Sequence, residues 1–167
     1  MHAYDVRISV VHKIKAVAMD VDGVLTDGAF WWGVDGVELK RFCFADSTGI
    51  SKAIKDGIPI ALISGESSPE GMLLVQRYAD KLKITNVYKG CHDKAQAVRE
   101  FALKYQLKLE SICFIGDDII DLPAMEIVGL PAAPANAHSA ALQKAKLVTV
   151  HNGGQGAVRE ILDLILQ

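Results

Sequence analysis

The stretch Ala16-Val17-Ala18-Met19-Asp20-Val21-Asp22-Gly23-Val24-Leu25-Thr26 restricts the fold more than any other part of this chain. Its apolar run reads as a buried strand, and that strand ends in two carboxylates one residue apart, then a glycine. Continuous apolar strands belong to parallel sheets covered on both faces, and ligands of open α/β sheets gather at the strands' carboxyl ends. Asp20 and Asp22 therefore leave the sheet where a site is expected. Clustered carboxylates repel unless a cation or a proton intervenes. Taken alone, the pair also admits a plain structural reading, with Asp20 capping a turn and Asp22 facing water.

The pattern that follows is strand alternating with helix. Ile58–Ile63, Asn86–Tyr88, Ile112–Ile115, Gly129–Ala133 and Leu147–Val150 read as further strands. Asp46-Ser47 is expected to cap a helix running to Asp56 and closed by Gly57, and Ser67 with Glu70 fits a capping box ahead of a helix through about Lys83. A helix from about Asp93 to Gln106 places Val98, Phe101, Ala102 and Tyr105 on one stripe, and a last one carries Val158, Ile161, Leu162 and Ile165 on one face. Residues 4–13 give a weak signal for a short helix or arm. Such alternation means βαβ units, hence a Rossmann-like parallel α/β sheet sandwiched by helices, with right-handed crossovers. Between the first strand and the first helix, Asp35-Gly36 joins two β-rich arms as a hairpin flap over about 28–44. Its Trp31 and Trp32 either fold back on the core or pack against something else, since a lone hairpin is marginal in water. Gly153-Gly154-Gln155-Gly156 reads as a flexible loop.

The chain's 167 residues fit one domain, spanning 1–167. Half the residues are hydrophobic and the formal charge is −2, which argues against disorder and offers no electrostatic basis for a nucleic-acid partner. Cys43, Cys91 and Cys113 are odd in number and widely spaced without a CxxC pair, as free thiols in a reducing cytoplasm would be. No leader pattern opens the chain and no apolar run approaches membrane-spanning length, so a cytoplasmic protein without a membrane partner is expected.

Three expected strand ends carry polar groups: Asp20 with Asp22, Ser64, and Asp117 with Asp118. Oxygen-only donors of this acidity suit a hard cation, Mg²⁺ rather than zinc. Lys94 stands at a helix N-terminus, where the helix dipole disfavours a cation, yet it shares the inward stripe with Val98. An anionic ligand would compensate it; a lysine reaching out to water is the plain alternative. Asp121 follows Asp117 by four residues, as a supporting partner or as a charge at the start of a helix.

Asp20-Val21-Asp22-Gly23-Val24-Leu25-Thr26, Ser64-Gly65, Lys94 and Gly116-Asp117-Asp118 stand in the order of the four motifs of the haloacid dehalogenase superfamily, which the chain resembles. Thr26-Asp27-Gly28, the hairpin, Asp46-Ser47-Thr48-Gly49-Ile50 and Gly153–Glu160 extend the likeness to its capless sugar-acid phosphatases, typified by those of 3-deoxy-D-manno-octulosonate 8-phosphate (KDO 8-phosphate) in lipopolysaccharide precursor synthesis. The resemblance implies Asp20 as nucleophile and Asp22 as general acid and base. It implies Mg²⁺ on Asp20, the Asp22 carbonyl and Asp117, with Asp118 orienting metal-bound water. Ser64, Gly65 and Lys94 would bind the phosphoryl group. It also implies a homotetramer with the hairpins at its centre, because the gaps from Asp20 to Ser64 and from Lys94 to Asp117 cannot house a cap domain.

Glu66 departs from the arginine that many KDO 8-phosphate phosphatases carry there. With Lys81, it resembles relatives acting on nine-carbon sugar-acid 9-phosphates. Lys40, Arg41, Arg77, Lys81 and Arg159 are the candidate cations for a substrate carboxylate; for each, a solvated surface charge is the simpler reading. A signalling receiver domain has a similar acidic pocket, but its paired acids come first and its nucleophile later. A catalytically silent tetramerisation domain is the non-enzyme alternative.

Overall fold

In the computed structural model, which describes residues 10–167, β1 (Ala16–Met19) is followed by a hairpin of β2 (Trp31–Trp32) and β3 (Glu38–Leu39), then α1 (Phe44–Lys55). Next come β4 (Ile60–Ile63), α2 (Pro69–Leu82), β5 (Asn86–Tyr88), α3 (Lys94–Lys104) and β6 (Ile112–Ile115). The chain closes with α4 (Leu122–Ile127), β7 (Leu130–Ala133), α5 (Ser139–Lys144), β8 (Leu147–Val148) and α6 (Ala157–Ile165). The expected helix or arm over 4–13 lies largely outside the described residues.

Six strands form one parallel sheet in the order β5-β4-β1-β6-β7-β8. Alternation along each strand divides the core into two layers. Val17, Met19, Ile60, Leu62, Cys113 and Ile115 face α1, α2 and α6 through Ile50, Val75, Ala79, Ile161 and Leu162. Ala16, Ala18, Ala61, Ile63, Ile112 and Phe114 face α3 and α4 through Val98, Phe101, Ala124 and Met125. Every residue of β1, β4 and β6 is buried, so these strands are apolar on both faces, as the sequence pattern implied. The chain leaves β1 toward β4 and β5 and returns on β1's other side as β6. The carboxyl end of β1 is thus the point where the winding reverses, which is where doubly wound sheets form their crevice.

Three local expectations are corrected. Helix α1 begins at Phe44, not after Asp46; Asp46 is wholly buried and accepts from the N–H groups of Gly156 (3.3 Å) and Arg159 (2.8 Å). It caps the start of α6 rather than its own helix. The cap of α2 is Ser68, accepting from Gly71 N–H at 3.1 Å with Pro69 in the first turn, so the Ser67–Glu70 box is not formed. The Gly153–Gly156 segment is packed, not loose. A Cβ on Gly153 would collide with the Gly23 carbonyl, one on Gly154 with the Thr26–Asp27 peptide, and Gly154 N–H donates to Val24 C=O at 2.9 Å. Gly153 and Gly154 serve close backbone approach, and Gly154 (φ +64°) and Gly156 (φ +107°) also supply the left-handed backbone that favours glycine.

The hairpin stands apart from the core. Trp31 is 54 % and Trp32 69 % exposed, so neither folds back onto this chain's core. Phe30 stacks obliquely on Trp32, whose indole N–H donates to Glu38 at 3.0 Å. None of the described helices is long and apolar enough to cross a membrane.

Candidate active site

Each chemical group leaves the sheet at the carboxyl end of a strand. Asp20 follows β1 and its N–H still donates to Ile115 C=O (2.9 Å); Ser64 follows β4 and donates to Tyr88 C=O (2.8 Å). Asp117 follows β6 after Gly116, whose N–H donates to Ala132 C=O (3.1 Å). Ladder hydrogen bonds therefore hold all three ends in register. Beyond Asp20 the backbone curls into a turn, with Leu25 N–H on Val21 C=O (2.8 Å) and the Thr26 hydroxyl accepting from Gly23 and Gly28 (3.2 and 3.3 Å). Gly23 takes φ +87° there, and a side chain on it would strike the Asp117 carboxylate. Only glycine lets the two strand ends close on one another.

Lys94 opens α3, with Asp93 as cap, and the residue is 2 % exposed. Its ammonium lies 2.9 Å from Asp20 and 2.6 Å from Asp121. Asp121 is fully buried; its other oxygen accepts from the N–H groups of Asp117 (2.9 Å) and Asp118 (3.1 Å). Asp121 therefore touches both Lys94 and the Asp117–Asp118 turn while also standing at a helix start, so its contacts are compatible with both readings the sequence left open. One ammonium serves three carboxylates. Burial pushes the Asp20 carboxyl up to about 7, with the Asp121 charge adding and Lys94 only partly offsetting it. Burial, then Asp20 and Asp121, push Asp117 up to about 8. On Lys94, burial works against the charge, but Asp20 and Asp121 outweigh it and raise its pKa.

This charge imbalance bears directly on a metal. Carboxylate oxygens of Asp20, Asp117 and Asp121 lie within 4.8 Å of one another. Asp121 is already committed to Lys94 and two N–H groups, whereas the buried Oδ1 of Asp117 has no hydrogen-bond partner among the described residues. A buried acceptor left open beside a second strained carboxylate is what a cation would complete. An all-oxygen donor set fits a hard divalent ion.

Above this floor lies a cavity of about 410 Å³ lined by Asp20, Asp22, Gly65, Glu66, Lys94, Asp117 and Asp118, with Gly28, Phe30, Cys91, His92 and Ile120 on its walls. Ser64 is fully buried behind Gly65, and its hydroxyl accepts from Glu66 N–H at 3.1 Å. Asp118, at the rim, accepts from Ile119 N–H at 2.7 Å. Glu66 accepts from Ser68 N–H at 2.8 Å; burial would raise its pKa, but the Ser68 bonds and the nearby Lys40 hold it below the usual value. The wall residues Cys91 and His92, just before Lys94, escaped sequence reasoning; the signal that could have found them is that a helix starting near Asp93 with Lys94 in the site brings the preceding residues to the same mouth.

The candidate cations separate. Lys40 reaches the site and is committed to Asp22 at 2.6 Å. Arg41 bonds Asp27 and the Gly154 carbonyl, both at 3.3 Å, tying the hairpin to the glycine loop. Arg77 and Lys81 line an adjoining groove with Phe42, Phe44 and Tyr78. Arg159 lies over Gly49 and pairs with Asp163 at 2.7 Å, outside this chain's own cavity.

Fold and site together define a phosphoryl-transfer enzyme of the haloacid dehalogenase type. Residues 72–162 match the haloacid dehalogenase-like hydrolases, and the chain belongs to that family. Within it the chain is a phosphatase, homologous to the 3-deoxy-D-manno-octulosonate 8-phosphate phosphatases KdsC. It is 43 % identical to that of Yersinia pestis over 92 % of this chain and 80 % of the relative, and 40 % identical to that of Escherichia coli K12 over 95 % and 82 %. The phosphatase of Moraxella catarrhalis, solved in complex with magnesium ion, phosphate ion and a KDO molecule, superimposes with a TM-score of 0.91 at 34 % identity, covering 99 % of this chain and 92 % of that one.

Proposed function

We propose that this chain hydrolyses a 2-keto-3-deoxy sugar-acid phosphate, KDO 8-phosphate foremost, through an aspartyl-phosphate, with Mg²⁺ as cofactor. The observation that carries the chemistry is the set of buried Asp20 and half-buried Asp117 beside Lys94, with one buried Asp117 oxygen unpartnered among the described residues. The named activity of the relatives carries the substrate.

In this reading an Asp20 oxygen attacks phosphorus and the bond from phosphorus to the sugar oxygen breaks. Asp22 gives its proton to the departing alkoxide, then takes one from the water that attacks the phosphoenzyme. That second attack breaks the bond between phosphorus and the Asp20 oxygen, releasing phosphate and restoring both carboxyl groups. Lys94, with N–H groups around Gly65, meets charge that the loose transition state spreads over the phosphoryl oxygens. Asp20, Asp117 and the Asp22 carbonyl would hold Mg²⁺, which supplies further charge neutralisation at those oxygens. Asp121 keeps Lys94 in place, and Asp118 stands where it could orient water.

The exposed hairpin supports a homotetramer in which neighbouring subunits cover Trp31, Trp32 and Phe30 and help close the cavity. One observation favours a second reading of the sugar. Glu66 presents a carboxylate to the cavity, as in the nine-carbon 9-phosphate relatives that the sequence resembles. A phosphate-release screen decides between them. KDO 8-phosphate should exceed ribose 5-phosphate and glucose 6-phosphate in kcat/KM by more than about tenfold. Equal values would refute recognition of the acid. A preference for the nine-carbon substrate that Glu66→Arg reverses would replace the first sugar with the second.

A further inference from the structure

From the groove beside the catalytic cavity, one hairpin residue reaches a carboxylate that lines that cavity. Lys40 follows β3 directly, and its side chain is only 4 % exposed although the hairpin around it is open to solvent. Its ammonium lies 2.6 Å from Asp22 Oδ1, 3.5 Å from Glu66 and 3.8 Å from Glu38. Asp22 itself is 40 % exposed at the side chain. Among the described contacts, Lys40 makes the one side-chain hydrogen bond to Asp22. Asp20, by contrast, is fixed by Lys94 and by Val21 N–H at 2.7 Å.

A carboxylate that must deliver a proton to a leaving oxygen needs its orientation set in advance, because displacements of about 1 Å cost large factors in rate. We infer that Lys40 is a positioning residue: through its bond to Oδ1 it aims the free Oδ2 of Asp22 at the leaving-group side of the cavity. This deepens the reading of Asp22 as the general acid and rests on it. Glu38 and Glu66 both lie within ion-pair distance of the ammonium. Glu38 is in turn held by the Trp32 indole, so the hairpin's placement sets the direction of the acid.

The distinguishing property is the leaving group. An alkoxide needs the proton from Asp22, whereas p-nitrophenolate departs as a stable anion and does not. The value of kcat/KM reports the first phosphoryl transfer alone, before any hydrolysis of the phosphoenzyme. Lys40→Met should lower kcat/KM for an alkyl phosphate without a carboxylate, such as ribose 5-phosphate, by about 10- to 100-fold, part of what a general acid contributes. The value for p-nitrophenyl phosphate should stay within roughly threefold of wild type. Lys40→Arg, which keeps a cationic donor, should recover most of the alkyl rate.

Equal losses on both substrates, or none on either, would overturn the inference, since a hairpin merely loosened lowers both together. Circular dichroism and melting check the fold. Should Lys40→Met not fold, Lys40→Ser, which leaves the gap to water, carries the same comparison. Asp22→Asn is run alongside. The split present there but missing in the Lys40 variants overturns only the role of Lys40, and a split missing in Asp22→Asn overturns the reading of Asp22 and this inference with it.

Discussion

Adding Mg²⁺ to the metal-stripped protein should stabilise it, and more so at alkaline than at acidic pH. The sign follows from the floor of the cavity. Asp20 has an ordinary pKa of 3.8, raised to about 7 in the fold chiefly by burial, and Asp117 is raised to about 8. An acid with a raised folded pKa binds its proton more tightly when folded, so stability falls as pH climbs from about 4 toward about 8. For Asp20, which is 4 % exposed, the shift corresponds to about 4 kcal/mol across that window. Asp117 shares the same field, so the two do not simply add. On the proposed assignment Mg²⁺ would bind the ionised pair and recover stability where the loss is greatest. At roughly 100 times its Kd the ion should contribute about 2.7 kcal/mol, or about 5–10 °C in Tm for a chain of this size. Scanning fluorimetry after EDTA treatment, near pH 6 and near pH 8 with and without Mg²⁺, reads this directly. The shift should be larger near pH 8 and largely lost in Asp117→Asn. Equal shifts at the two pH values, or an undiminished one in Asp117→Asn, would refute the assignment of the strained pair as the metal site.

Asp20→Asn would remove the proposed nucleophile with almost no change in shape, so turnover should fall by at least about a thousandfold in a folded protein, measured by phosphate release. Gly153→Ala drives a methyl into the Gly23 carbonyl. It should cost about 1–3 kcal/mol in urea unfolding and lower kcat as well, because the displaced backbone carries Asp22. Trp31→Glu with Trp32→Glu should convert a tetramer into smaller species by light scattering while the isolated fold melts nearly unchanged, since both side chains are exposed in the single chain. A stable, fully active monomer of the wild type would end the tetramer proposal.

The strands bearing the site were readable because each is a short apolar run ending in a polar residue: Met19 before Asp20, Ile63 before Ser64, Ile115 before Gly116-Asp117. Lys94 was readable because a lysine at an inward helix start is out of place without a partner. What escaped depends on partners distant in the chain. Asp46 looks like a cap for the helix beside it, yet it serves Gly156, 110 residues away. Glycines at 153–156 signal freedom and close approach equally, and only the neighbouring backbone at Gly23 and Thr26 decides between them. Lys40 looked like one surface cation among several until the hairpin curled it onto Asp22, 18 residues earlier.

The parallel sheet also has a second edge. The chain enters β4 through Gly57-Ile58-Pro59, β5 through Lys83-Ile84-Thr85 and β6 through Gln106–Ser111, all at the end opposite Asp20, Ser64 and Asp117. Everything chemical is gathered at one end, which leaves the other as scaffolding. The segments at that far end are therefore the places for new chain termini, inserted reporters or surface attachment. An enzyme re-cut or tethered there would present its cavity and its hairpin outward, both intact.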